Sequence, residues 1–140
     1  MEGSFTLPRE GSTSDPLRIA VLISGGGSGL ASILAYESLE PRSFQTVLVL
    51  ADSDEAGGLD HARKAGIDSM GIPLPRIVDK KEQRLKHEDL VHEQLEKYNT
   101  ELIALAGYMR IFTPVFVEKW KGRLINIHPV SYTHLTLPTM

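Results

Sequence analysis

Four short runs are apolar at almost every position: LRIAVLI (17–23), TVLVLA (46–51), LIALAG (102–107) and RLINIH (123–128). Successive strand side chains point to opposite faces, so a run that is apolar at both parities needs cover on both faces. That is how strands of a parallel sheet read, because the helical crossovers between them lie on the two faces. A weaker strand is predicted in DSMGIPL (68–74). Between the runs lie helix-like segments. In Gly57–Ala65, Leu59, Ala62 and Gly66 trace one face, with Asp60 and Lys64 paired outside at i,i+4. Residues 80–98 form the longest, with His87, Val91, Leu95 and Tyr98 as its inward stripe. Thr113 and Pro114 have the chemistry of an N-cap and a first helical position, after which Phe116, Val117 and Trp120 pack inward. Strand, helix, strand in this rhythm predicts an α/β fold with a mostly parallel, twisted sheet between helical layers.

A length of 140 residues, 41% hydrophobic, suits one domain. With 15 basic and 18 acidic residues the net charge is -3, which offers neither a nucleic-acid-binding stripe nor a membrane-seeking surface and leaves small-molecule chemistry. Cysteine is absent, so disulfides and thiolate metal sites are excluded and a reducing cytoplasm is suited. No run approaches the roughly 20 apolar residues of a membrane span, and the chain reads as cytoplasmic. Residues 1–16, rich in Gly, Ser, Thr and Pro, are expected to form a mobile tail. The sequence sets no oligomeric state.

In doubly wound sheets ligands bind beyond the carboxyl ends of the strands, near the point where strand order reverses. Four segments stand there. SGGGSGL (24–30) follows the first strand, and its glycines allow close approach of an anion to the free N–H groups of the next helix. A plain tight turn also accounts for them. The segment lacks the third glycine of a dinucleotide fingerprint and the lysine of a Walker loop. ADSDE (51–55) places Asp52 where a ribose hydroxyl would be held, although a solvated turn is the simpler reading. GYMRIF (107–112) offers backbone groups and apolar side chains able to sandwich a flat ring; packing explains Met109, Ile111 and Phe112 as well, and a surface ion pair would explain Arg110. Finally, Asn126 and His128 sit two apart at the end of the last strand and share one face. An imidazole that changes charge near neutrality beside a carboxamide N–H can move protons and stabilise an oxyanion, the two services acyl or one-carbon transfer to an amine requires. His61, His87 and His92 fall on helices without a metal-ligand cluster and read as solvated or half-buried; His134 lies in the final tail.

Taken together, VLISGGGSGL, LAGYMRIFTPVFV and GRLINIHP resemble phosphoribosylglycinamide formyltransferase, in the right order from about Arg18 to Pro129. INIHP alone is shared across enzymes that use formyltetrahydrofolate, and the glycine loop narrows the choice. The resemblance implies a Rossmann-like three-layer α/β/α fold and a cytoplasmic transferase of purine biosynthesis, moving a formyl group from 10-formyltetrahydrofolate to the amine of glycinamide ribonucleotide, without a metal. It implies that Gly27, Ser28 and Gly29 hold the ribonucleotide phosphate. Met109, Arg110, Ile111 and Phe112 then line the folate pocket with Arg84, Asn126 contacts the formyl group, and His128 serves as acid/base and oxyanion stabiliser. Gly29 stands where the family usually has Asn, which leaves the backbone donors of the loop but removes a side-chain amide.

After Pro129 the family continues with further substrate-binding segments, whereas this chain reads VSYTHLTLPTM. The expectation is an incomplete formyltransferase domain over 17–129, truncated after about the fifth strand and inactive by itself, with residues 130–140 not matching the family. Ending there would leave an apolar sheet edge prone to association. Three other readings share these residues: formyltetrahydrofolate hydrolase, in which water replaces the amine; a non-catalytic nucleotide-phosphate-binding module; and a subunit completed by another chain.

Overall fold

The computed structural model describes residues 7–127. Expectations for His128, His134 and residues 130–140 lie outside them. The order of elements is β1 (Leu17–Ile23), α1 (Ser28–Leu39), β2 (Phe44–Ala51), α2 (Leu59–Lys64), β3 (Ser69–Gly71), α3 (Lys80–Lys97), β4 (Leu102–Ala106), α4 (Pro114–Lys119) and β5 (Leu124–Ile127). All strand pairs are parallel, in the sheet order β3-β2-β1-β4-β5. The central run does what its double parity requires. Ile19, Val21 and Ile23 pack with Leu30, Leu59 and Ala62 of α1 and α2, while Ala20 and Leu22 pack with Val91 and Leu95 of α3, Phe116 of α4 and Trp120 at its C-cap. The fold is therefore the expected Rossmann-like α/β/α arrangement, with β1 at its centre.

Several local expectations are corrected. Strand β2 begins at Phe44, two residues early, and carries a bulge: Ile19 pairs with Thr46 but Ala20 with Leu48. Val47 is the extra residue, and beside it Thr46 sends its N–H to both Glu37 carboxylate oxygens at 3.2 and 3.1 Å and its hydroxyl to Oε1 at 2.8 Å, so α1 satisfies donors at the bulge. Strand β3 does lie within DSMGIPL as expected; it is three residues long, with prolines at 73 and 75 just beyond it. Asp60 pairs with Arg63 at 2.7 Å, one residue before the expected Lys64. Val117 is 41% exposed instead of inward, because α4 turns only Phe116 and Trp120 to the sheet. His87 keeps its place on the inward stripe but is fully buried, not solvated or half-buried, its Nε2–H donating to the Ile72 carbonyl at 2.6 Å. Strand β5 is not covered on both faces: Ile125 is 45% exposed, and among the described residues β5 pairs only with β4.

Helix α3 forms where Lys, Glu, Gln and Leu dominate. Asp79 caps it by accepting the Glu82 N–H at 2.9 Å, and Asn99 at φ 53° turns the chain away at its end.

Residues 7–16 are irregular, and Arg9 donates to Glu101 at 2.6 and 3.1 Å. The Arg9 hydrogen bond holds the Glu101 carboxyl below its ordinary range. A folded-state value under the unfolded one adds stability above the unfolded value and loses it as pH falls through the folded one. Arg9→Ala is therefore expected to flatten the fall in urea midpoint on acidification below the ordinary Glu range, about pH 4. An unchanged acid limb would show that the pair contributes nothing there.

Candidate active site at the carboxyl ends of the strands

Strand order reverses between β1 and β4, and the loops after β1 and β4 meet at that point. The glycine turn enters α1 through Gly27, whose φ of 73° is left-handed. Gly58 closes against it, donating its N–H to the Gly25 carbonyl at 2.9 Å. With no side-chain cap on α1, the amides of the first turn keep the free donors that an anion can take. Gly27, Ser28 and Gly29 line a cleft of about 380 Å³ whose opposite wall includes Gly107 and Met109.

A second cleft of about 430 Å³ adjoins it, lined by Arg84 of α3 and by Met109, Arg110, Ile111 and Phe112. Met109 is common to both. Met109 and Ile111 are 76% and 82% exposed, so neither packs in the core and both are available to a flat ring. Phe112 anchors the loop instead: it stacks on Tyr108 and Phe116 with centroids 5.4 and 4.1 Å away. Burial among these groups holds the Tyr108 phenol neutral well above the usual tyrosine range.

The 107–113 loop is tied at residues 109, 110, 111 and 113 by groups from three other elements. Ser24 Oγ accepts the Met109 N–H at 2.7 Å. Arg110 Nε donates to Asp52 at 3.1 Å. Arg84 Nη2 donates to the Ile111 carbonyl at 3.0 Å. Thr113 gives its N–H and hydroxyl to buried Glu88 at 2.6 and 2.5 Å, so the Thr113 side chain is taken up by Glu88, which fixes this N-cap residue, and it accepts no N–H from α4. Asp52 is not a solvated turn residue, since Arg110 engages its Oδ2 and its side chain is 11% exposed.

Asn126 pairs with Leu105, at the level where β4 ends. Leu124 packs on the α3/α4 side and Ile127 on the α1/α2 side, so strand alternation puts Asn126 on the α3/α4 side. That is the side of Arg84's helix. Asn126 is exposed. The geometry thus joins Gly27–Gly29, Arg84 and Met109–Phe112 in two adjoining clefts and sets Asn126 on a neighbouring strand end.

Ser24, Asp52 and Glu88 are the site-shaping residues that sequence reasoning missed or read as bland. Glu88 had a signal: it lies three and seven residues before Val91 and Leu95, so it is a carboxylate inside an apolar stripe.

Residues 17–131 match the formyl transferase family. The chain is 36% identical over 113 residues to the phosphoribosylglycinamide formyltransferase of Escherichia coli K12, covering 81% of this chain and 51% of that protein. It is 39% identical over 115 residues to the Bos taurus trifunctional purine biosynthetic protein adenosine-3, covering 80% of this chain and 11% of that one. Among solved structures, phosphoribosylglycinamide formyltransferase from Brucella melitensis superposes with a TM-score of 0.73 at 32% identity, over 81% of this chain and 57% of that chain. The chain spans about half of the single-function relatives and about a tenth of the trifunctional one. With a match that runs through both clefts and Asn126, the chain belongs to the formyl transferase family.

Proposed function

We propose that this chain carries the ribonucleotide-binding and folate-binding part of a cytoplasmic phosphoribosylglycinamide formyltransferase. The observation that carries the reading is the adjacency of two clefts through Met109, one rich in backbone donors and one walled by exposed apolar groups. In this reading the N–H groups at Gly27, Ser28 and Gly29 receive the phosphate of glycinamide ribonucleotide. Met109, Arg110, Ile111 and Phe112 hold the pterin of 10-formyltetrahydrofolate, and Arg84 borders the same cleft.

The substrate amine then attacks the formyl carbon, forming a C–N bond and a tetrahedral oxyanion. Asn126 donates to that oxygen. Collapse breaks the bond to the folate nitrogen, which leaves protonated as tetrahydrofolate, while the attacking nitrogen loses its proton. By the resemblance His128 is the group that moves these protons; it lies outside the described residues.

Titration calorimetry with glycinamide ribonucleotide tests the binding half. Saturable 1:1 binding that inorganic phosphate displaces is the expected result, and absence of binding would refute the assignment of the glycine turn.

A further inference from the structure

The two clefts are mechanically tied. Ile23 pairs with Ala51 and Leu22 with Leu105, so Ser24, Asp52 and the loop after β4 leave three neighbouring strands side by side. Ser24 is the first residue of the glycine turn, and its hydroxyl oxygen accepts the N–H of Met109, the residue common to both clefts. The next residue, Arg110, is held by Asp52 from the far side of β1. Two successive positions of the ring-binding wall are thereby fixed from the strand ends that frame the anion-binding turn. The Arg110 guanidinium also neutralises a carboxylate that stands one strand away from that turn.

We propose that Ser24 and Asp52 are positioning residues that form a two-point clamp coupling the anion cleft to the ring cleft. The proposal rests on the functional reading above for the identity of the ligands. A phosphate seated on the turn restrains Ser24, Ser24 restrains Met109, and the ring ligand then meets a wall that is already ordered. The ordering cost is met once for two ligands, which makes their binding mutually favourable. Neither side chain needs to touch substrate.

The test uses the 140-residue chain, with glycinamide ribonucleotide titrated alone and in saturating tetrahydrofolate, which cannot donate a formyl group. The parent is expected to bind the ribonucleotide at least about fivefold tighter when tetrahydrofolate is present, a coupling of ordinary size. Ser24→Ala and Asp52→Ala are each expected to bring that ratio close to one, and Ser24→Thr, which keeps the hydroxyl, to restore it. Amide exchange provides an arm that needs no ligand: Ser24→Ala should speed exchange at Met109 about tenfold while Leu22 and Leu105 keep their rates.

A ratio near one in the parent, or a ratio unaltered in Ser24→Ala, overturns the coupling and leaves the functional reading standing. Unchanged Met109 exchange overturns the clamp itself. Failure of the parent to bind either ligand overturns the half-site assignment, and the coupling with it.

Discussion

Gly27→Ala is expected to destabilise the fold by about 2–4 kcal/mol and to abolish anion binding at the turn. Two separate penalties add at this residue. Its φ of 73° is left-handed, and an added Cβ would stand 2.8 Å from the Gly58 Cα. Gly58 cannot retreat easily, because its N–H is bonded to the Gly25 carbonyl at 2.9 Å and a Cβ of its own would meet the Ile23 Cδ1 at 2.6 Å. Gly66 is the internal control. It has nearly the same φ, 74°, but nothing within 4 Å of an added Cβ, so Gly66→Ala carries the conformational penalty alone, about 1–2 kcal/mol. Urea unfolding of both variants separates the contributions. Equal losses would show that the contact with Gly58 is unimportant and that the tight closure of the turn is not what shapes the cleft.

Glu88→Ala is expected to cost about 2–4 kcal/mol, because two charge-assisted hydrogen bonds are lost and the N–H at the start of α4 is left without a partner. Glu88 is 6% exposed, and α4 delivers Phe116 and Trp120, both at most 2% exposed, to the core. Loss of this contact therefore reaches the packing under the ring cleft as well as the loop above it. Glu88→Gln keeps one carbonyl oxygen for Thr113 and should lose about half as much. An alanine variant within about 0.5 kcal/mol of the parent would contradict this account, since that is the ordinary range of an inconsequential surface change.

The parts of the fold that follow from short-range pattern were legible. LRIAVLI coincides with β1 end to end, and LIALAG differs from β4 only at Gly107, where φ 77° takes the chain out of the strand. What the pattern missed depends on partners distant in sequence. The bulge at Thr46 is stabilised by Glu37, nine residues earlier, and the exposure of Ile125 follows from the edge position of β5, which strand order sets and apolarity does not. The same holds for the site. The glycine turn and the 107–112 segment are contiguous motifs, legible as such in the sequence. Their adjacency comes from Ser24, Asp52, Arg84 and Glu88, each reaching across 25 or more residues, and no local spacing announces those contacts.

The central claim is that a phosphosugar amine binds at the switch point, between the glycine turn and the loop after β4. Mapping backbone amide shifts while glycinamide ribonucleotide is added tests it most directly. The account predicts that the largest changes fall on residues 24–30 and 107–109. Changes concentrated instead at the opposite end of the strands, in the cleft of Arg18, Thr46, Asp68 and Tyr98, would contradict it.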